Sequence, residues 1–303
     1  MKEDIPRLSS ISQLTQLFGF SKPTHPLIYI VDVATWRIGK EFVGMKYLSE
    51  LYAIGLKDKS CGLQYGRNNY DFDEGVLFFT GLNQVASTTK EQQLNEIKGW
   101  MLFFHPDLIR NTPLGRSIDE HHYFSYDIHE ALHLSDKEQK TITDCIDKIR
   151  EEISERIDGH SNKVIVASLE LLLQYCQRFY ERQFHTRTAQ NKDIVTRMND
   201  ELKAYYENNL LSESGLPSIQ FFADKMHLSP NYLSDLLKKE LGVGAREYIN
   251  EFLIDKAKTL LLGTNESVSE ISYKLGFNYP HYFGRLFRSK TGMTPKEYRQ
   301  INS

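Results

Sequence analysis

Two sets of residues in this 303-residue chain have the types and spacing to do chemistry, and they point in different directions. The first is His129-Glu130-Ala131-Leu132-His133. On a helix, two histidines four residues apart share a face and can bind zinc, with the glutamate between them as general base, which would make a metallohydrolase. Such a site needs a long helix and a third ligand. Glu151, Glu152 and Glu155 lie at reachable distances but fall on the charged faces of an isoleucine-striped segment. His121-His122 is adjacent rather than spaced as H-x-H, so a barrel metal site is not evident either. Core-filling side chains explain both histidine groups, and no cofactor, metal or catalytic residue is expected.

The second set is Asn231, Ser234, Asp235 and Lys238, matched further on by His281, Gly284, Arg285 and Arg288, with Lys290 close behind. Each quartet falls at positions i, i+3, i+4 and i+7, the spacing of one helix face. Arginine can grip guanine O6 and N7 with two hydrogen bonds or clamp a phosphate, and asparagine and serine can bond base edges. Lys238 would contact phosphate, while Asp235 would repel it or accept from a cytosine amine. The partner this chemistry suits is double-stranded DNA.

The elements that must position these residues form an internal repeat at an offset of 49 to 50 residues. IQFFADKMHLSPNYLSDLLKKELGVGAREY (219–248) lies on VSEISYKLGFNYPHYFGRLFRSKTGMTPKEY (268–298). Ala223 matches Ser272, Pro230 matches Pro280, Leu233 matches Phe283, Leu237 matches Phe287 and Gly242 matches Gly292. Each copy reads as a short helix, Ile219–Met226 or Val268–Leu275, then a tight turn, then a helix with proline at its first position. Ser229 is placed to cap the first of these second helices, and both glycines suit a left-handed C-terminus. Leu233, Leu236 and Leu237, or Phe283, Leu286 and Phe287, face inward. This is a helix-turn-helix, whose second helix enters the major groove. Between the copies, Ala245–Leu262 reads as one helix roughly 27 Å long. That suits two reading heads near the roughly 34 Å spacing of successive major grooves.

Residues from about 195 to 301 resemble the DNA-binding domain of the AraC/XylS family of bacterial regulators. The segment SVSEISYKLGFNYPHYFGRLFRSKTGMTPKEYR carries the family's I-x-x-x-x-G-F, Y-F-x-R-x-F-[KR] and G-x-T-P-x-x-Y-R elements. The resemblance implies about seven helices, with a long one joining two helix-turn-helix subdomains. Four positions depart from the pattern. Asp235 stands where a base is common, Leu253 for the usual linker arginine, Ala245 for proline, and Tyr279 for a capping Asp or Ser. GWMLFFHPDLI and FSYDIHEALHLSDKE also resemble the N-terminal half of many members, a cupin-like barrel followed by dimerisation helices.

Read by itself, the stretch from about 20 to 127 has short strands at LIYIV (27–31), FVGMKYL (42–48), VLFF (76–79) and WMLFF (100–104), set off by turns such as Asp71–Gly75. A β-barrel or sandwich follows, with Tyr29, Tyr47, Tyr65 and Phe104 as candidate walls of a sensor cavity. From Ser135, a capping serine with Glu138 three residues on, Ile142, Ile146, Ile149, Ile153 and Ile157 form one helical stripe. A second helix at about 162–184 is apolar on several sides, so it packs against the barrel or forms a dimer interface. The polar stretch His185–Lys192 reads as a linker.

The expected fold is therefore multidomain α+β. A cupin-like sensor domain occupies 1–134, a helical dimerisation and linker region 135–192, and an all-α DNA-binding domain 193–303. Its helix-turn-helix units fall at about 217–240 and 266–290. The expected function is sequence-specific DNA binding and transcription regulation, controlled by a small-molecule effector or by homodimerisation, with RNA polymerase as a further partner. A cupin-like protein with degenerate DNA heads is the alternative. The net charge of −3 is uneven, because residues 271–303 hold six basic residues against Glu297 alone. MKEDIPRLSS has no apolar leader, no apolar run is long enough for a membrane span, and Cys61, Cys145 and Cys176 lack zinc spacing. A cytoplasmic location is expected.

Overall fold

The computed structural model describes residues 5–35, 46–58, 75–87, 99–127, 130–155, 158 and 160–302. They divide into two compact units, Met1–Arg187 and Thr188–Ser303. In the first, strands β1 (Arg7–Leu8), β2 (Ile28–Asp32), β3 (Lys46–Ser49), β4 (Tyr52–Asp58), β5 (Gly75–Thr80), β6 (Gln84–Ser87), β7 (Gly99–Phe104) and β8 (Leu132–Leu134) form two sheets. Their orders are β1-β3-β6 and β2-β7-β4-β5-β8, with only β1 and β3 parallel. Among the described residues no ladder joins the two sheets, so the expected barrel is observed as two separate sheets. Residues 42–45 of one expected strand, Tyr65, Cys61 and the turn residues 71–74 lie outside the described residues.

Pattern reading missed β1, β6, β8 and the longest of the missed strands, β4, which pairs with both β5 and β7. Its Ala53 and Gly55 carry little β propensity. A Cβ at Gly55 would run into the ring of Phe78, so tertiary packing selects the glycine.

Strand alternation also corrects the expected cavity. Tyr29 pairs with Phe103, so the two share a face and Phe104 points to the other. On the first face Phe103, Val31 and Ala53 pack with Tyr47, Leu14 and Phe18, and α1 (Ile11–Leu17) covers them. Burial pushes the Tyr47 hydroxyl up to about 12. On the second face Phe104 stacks on Tyr52 at 4.9 Å. The candidate walls therefore do not enclose one space.

After a short helix α2 (Pro113–Ser117), the chain builds α3 (Asp136–Ser154) and α4 (Ser161–Thr186). The capping box at the head of α3 is formed: Glu138 N donates to Ser135 Oγ at 3.4 Å and Ser135 N to Glu138 Oε2 at 3.0 Å. Ile142, Ile146, Ile149 and Ile153 are all buried, while Ile157 lies outside the described residues. Helix α4 closes the edge strand β8 with a side chain. Gln183 accepts from His133 N at 2.8 Å and donates to the Ala131 carbonyl at 3.1 Å, as a neighbouring strand would. Arg182 bonds the His133 carbonyl at 2.6 Å and the Glu138 carboxylate at 2.7 Å. This corrects the metallohydrolase reading. His133 lies in a strand and Glu130 is buried, whereas the zinc motif requires helical spacing; His129 is outside the described residues.

The second unit is helical: α5 (Thr188–Glu207), α6 (Leu210–Ser214), α7 (Ile219–Met226), α8 (Pro230–Leu241), α9 (Ala245–Gly263), α10 (Val268–Lys274), α11 (Pro280–Thr291) and α12 (Pro295–Asn302). The described residues thus form eight helices where about seven were expected, because Asn209 at φ 58° breaks the first stretch into α5 and α6. The expected linker at 185–192 is helical on both sides of Arg187, which ends α4 and falls at the boundary between the two units. Among the described residues no helix is long and apolar enough to cross a membrane.

Replacing Gln183 with leucine leaves one buried N–H and one buried carbonyl without partners. The first unit should lose about 2 kcal/mol, read as an earlier midpoint in urea denaturation.

Candidate nucleic-acid interface

The two heads repeat each other down to single hydrogen bonds. In the first, α7 is capped by Ser218, whose Oγ accepts from Phe221 N at 3.1 Å. The turn passes through His227 at φ 56°, and Leu228 N returns to the Ala223 carbonyl at 2.9 Å. In the second, α10 starts with a Ser267–Glu270 capping box, whose backbone hydrogen bond from Ser267 holds the Glu270 carboxyl below its usual value. That turn passes through Gly276 at φ 82°, and Phe277 N returns to the Ser272 carbonyl at 3.1 Å. Left-handed backbone is therefore required at both turns, and only one copy uses glycine.

Helix α8 begins at Pro230 with Tyr232 N bonded to Ser229 Oγ at 3.3 Å, and ends at Gly242 in the left-handed region. Helix α11 begins at Pro280 and ends at Gly292 in the same way, but its N-cap, Tyr279, makes no side-chain cap. Leu233 and Leu237 from α8, Phe283 and Phe287 from α11, and Leu253 and Ala257 from α9 enter one shared core. The departure at Leu253 is thereby explained, since the position is 1% exposed. Ala245 is explained too: its N–H donates to Ser234 Oγ at 3.4 Å, a bond proline could not make.

Of the nine candidates, Asn231 and Lys238 are exposed on α8, and His281, Arg285, Arg288 and Lys290 on α11. Gly284 is half-buried, with open space where a Cβ would stand. Asp235 is half-buried. Two candidates are turned away from the outer faces. Ser234 is held toward the start of α9 by the bond just described. Lys290 pairs with Glu247 and lies 3.8 Å from Glu251, both on α9, so it ties α11 to the linker helix. Two acids one turn apart in the linker, facing a basic residue near the end of α11, were the available signal for this.

Pattern reading also missed two exposed tyrosines beside the outer face of α11, Tyr279 at 58% and Tyr282 at 51% exposure. The Arg285 guanidinium lies over the Tyr282 ring at 5.1 Å, and His281 is 4.2 Å from the same ring. A guanidinium over an aromatic face is attracted by the ring, which favours this position of Arg285 beside Tyr282.

A family profile described as a helix-turn-helix domain matches residues 222–301, the stretch that holds both heads. The C-terminal unit carries an AraC-type helix-turn-helix domain. An HTH-type transcriptional regulator of Escherichia coli (strain K12), YijO, is 35% identical over 138 residues, or 46% of this chain and 45% of that protein. The HTH-type transcriptional activator RhaS of Enterobacter sp. (strain 638) is 31% identical over 150 residues, or 50% of each chain. The C-terminal domain of the two-component response regulator yesN from Fusobacterium nucleatum is 32% identical, covering 32% of this chain and 96% of that domain, with a TM-score of 0.27. The assignment of the AraC-type domain rests on the sequence matches and not on that superposition. The chain spans about half the length of these two curated relatives.

The two turns of the AraC-type domain make different forecasts. At Gly276 a Cβ would meet the Leu211 carbonyl oxygen at 2.8 Å in addition to the positive φ. Gly276→Ala should therefore cost about 3 kcal/mol. His227→Gly should cost less than Gly276→Ala, because glycine adopts the positive φ without the strain a side chain carries there. Denaturant titration of both variants checks the contrast.

Proposed function

We propose that the chain is a sequence-specific DNA-binding regulator of transcription in the cytoplasm, acting on double-stranded DNA through α11 and α8. The observation that carries this reading is the repeated head built around α9, with both second helices presenting outer faces. Nineteen residues of α9 span about 28 Å, close to the roughly 34 Å between major grooves one turn apart. Helix α11 supplies most of the affinity through Arg285 and Arg288, with His281 and Gly284 allowing close approach. Helix α8 tunes sequence choice through Asn231, with Lys238 on phosphate and Asp235 facing a cytosine amine, while Ser234 contributes by holding α8 to the start of α9. Lys290 contributes by holding α11 rather than by touching DNA.

The N-terminal unit is read as a cupin-like sensor that binds a small-molecule effector and supports a homodimer, while RNA polymerase is the partner through which bound DNA is acted on. RhaS is named a transcriptional activator, which favours this reading. The isoleucine stripe of α3 is not the dimer surface, because Ile149 is fully buried within the unit. The better support is α4, which leaves Val164 at 44% and Leu171 at 43% exposure, two turns apart on one side.

The test is capture of genomic fragments by the purified chain, followed by titration of the selected site. Arg285→Ala should weaken binding by roughly 1–3 kcal/mol and change base preference locally. If folded Arg285→Ala binds as wild type does while Asp235→Ala abolishes binding, the assignment of roles is wrong. Separately, Leu171→Lys should halve the mass seen by sedimentation, and a wild-type chain that is already monomeric would remove the dimer.

A further inference from the structure

Within the C-terminal unit, a groove of about 830 Å³ opens between the α6–α7 connection, the first half of α9 and the N-terminal flank of α11. Its lining includes Glu213, Arg246, Asn250, Tyr273, Tyr279 and Tyr282. The AraC-type repeat does not account for it, since the motif's outer faces end short of these residues. We propose that this groove is a third DNA-contact surface, which takes the sugar–phosphate backbone running past α11 through Arg246, Asn250 and the Tyr282 hydroxyl. The proposal rests on the DNA-binding reading above and adds residues that lie off the two outer faces.

Three observations converge. The first is position. At about 100° per residue, Tyr282 lies about 60° around α11 from Arg285. The groove wall is therefore the flank directly beside the reading face, and a helix seated in the major groove has phosphates along its flanks. Arg246 and Asn250 are four residues apart on α9, so they share a face, and both line the opposite wall. The second is availability. Arg246 is exposed and makes no ion pair among the described residues. By contrast, Lys290 on α11 is neutralised by Glu247 and Glu251. Along this part of α9 the acids are thus occupied on one face, while the arginine on another is open. The third is chemistry. Arginine, asparagine and tyrosine hydroxyls are donors that phosphate oxygens accept, and the exposed rings of Tyr279 and Tyr282 can lie against deoxyribose. Arg285, stacked on Tyr282, adds charge at the rim. Glu213 stands on the α6 side as the one acid of the lining, which would place a phosphate at the Arg246 and Tyr282 end.

The experiment uses the full chain and a labelled duplex of random sequence, about 30 base pairs or three helical turns. Affinity is measured across a salt series for wild type, Arg246→Gln, Tyr282→Phe, Glu213→Gln and Arg285→Ala, each confirmed as folded by circular dichroism. Arg246→Gln should weaken binding about tenfold and make the slope of log K against log salt less steep by about 0.9, the signature of one lost phosphate contact. Tyr282→Phe keeps the ring and should weaken binding about threefold with the slope unchanged. Glu213→Gln should tighten binding about twofold, a gain that a purely structural role would not produce. If Arg285→Ala weakens binding while Arg246→Gln, Tyr282→Phe and Glu213→Gln match wild type in affinity and slope, the groove does not hold DNA and the DNA-binding reading stands. That outcome would also be expected if the groove takes a protein segment instead. If wild type itself binds no duplex, both fail together.

Discussion

The C-terminal unit depends on one constraint: two reading helices must share a single apolar core with the helix between them. Leu233 and Leu237 from one head, and Phe283 and Phe287 from the other, meet Leu253, Ile254 and Ala257 of α9 in the same cluster. Because that core is continuous, neither recognition helix can rotate without opening space beside α9, and a cavity there costs about 24 cal/mol per Å³. The polar ties act on top of this packing. Lys290 fixes the far end of α11 to Glu247, and Arg299 donates to the Leu261 carbonyl at 2.8 Å, where α9 runs out of partners for its carbonyls. Orientation of the outer faces is thus a property of the core, and the exposed arginines inherit it.

The same logic separates the two heads chemically. Ser229 satisfies a free amide at the start of α8, so that helix begins closed. At the start of α11 Tyr279 offers no side-chain acceptor, the Tyr282 amide bonding its carbonyl at 3.0 Å instead, and its ring, with Tyr282 and His281, forms an exposed aromatic edge. One head is capped and lightly charged; the other is uncapped, aromatic and cationic.

In the N-terminal unit the organising device is the closure of a sheet edge by a helix side chain. An exposed strand end such as β8 would present free N–H and carbonyl groups to any passing strand. Gln183 and Arg182 occupy those groups, and Arg182 simultaneously reaches Glu138, which caps α3. One turn of α4 therefore ties the sheet, the cap of α3 and α4 itself together. Ala131 and His133, from the motif that invited a zinc reading, are part of this latch.

What the sequence determined by itself was everything governed by local periodicity and by repetition. The bounds of α7, the Ser135–Glu138 cap, the left-handed glycines at 242 and 292 and the buried leucines and phenylalanines of both heads were legible, because helical spacing and capping depend on residues within a few positions of each other. Tertiary structure alone decided the rest. Strand β4 is selected by a ring on its neighbour, Tyr29 and Phe104 are parted by strand register, and Ser234 and Lys290 are drawn toward α9 by groups eleven and about forty residues away in the chain. Each of those outcomes turns on a partner distant in sequence, and a pattern read along one segment carries no information about which distant groups will arrive beside it.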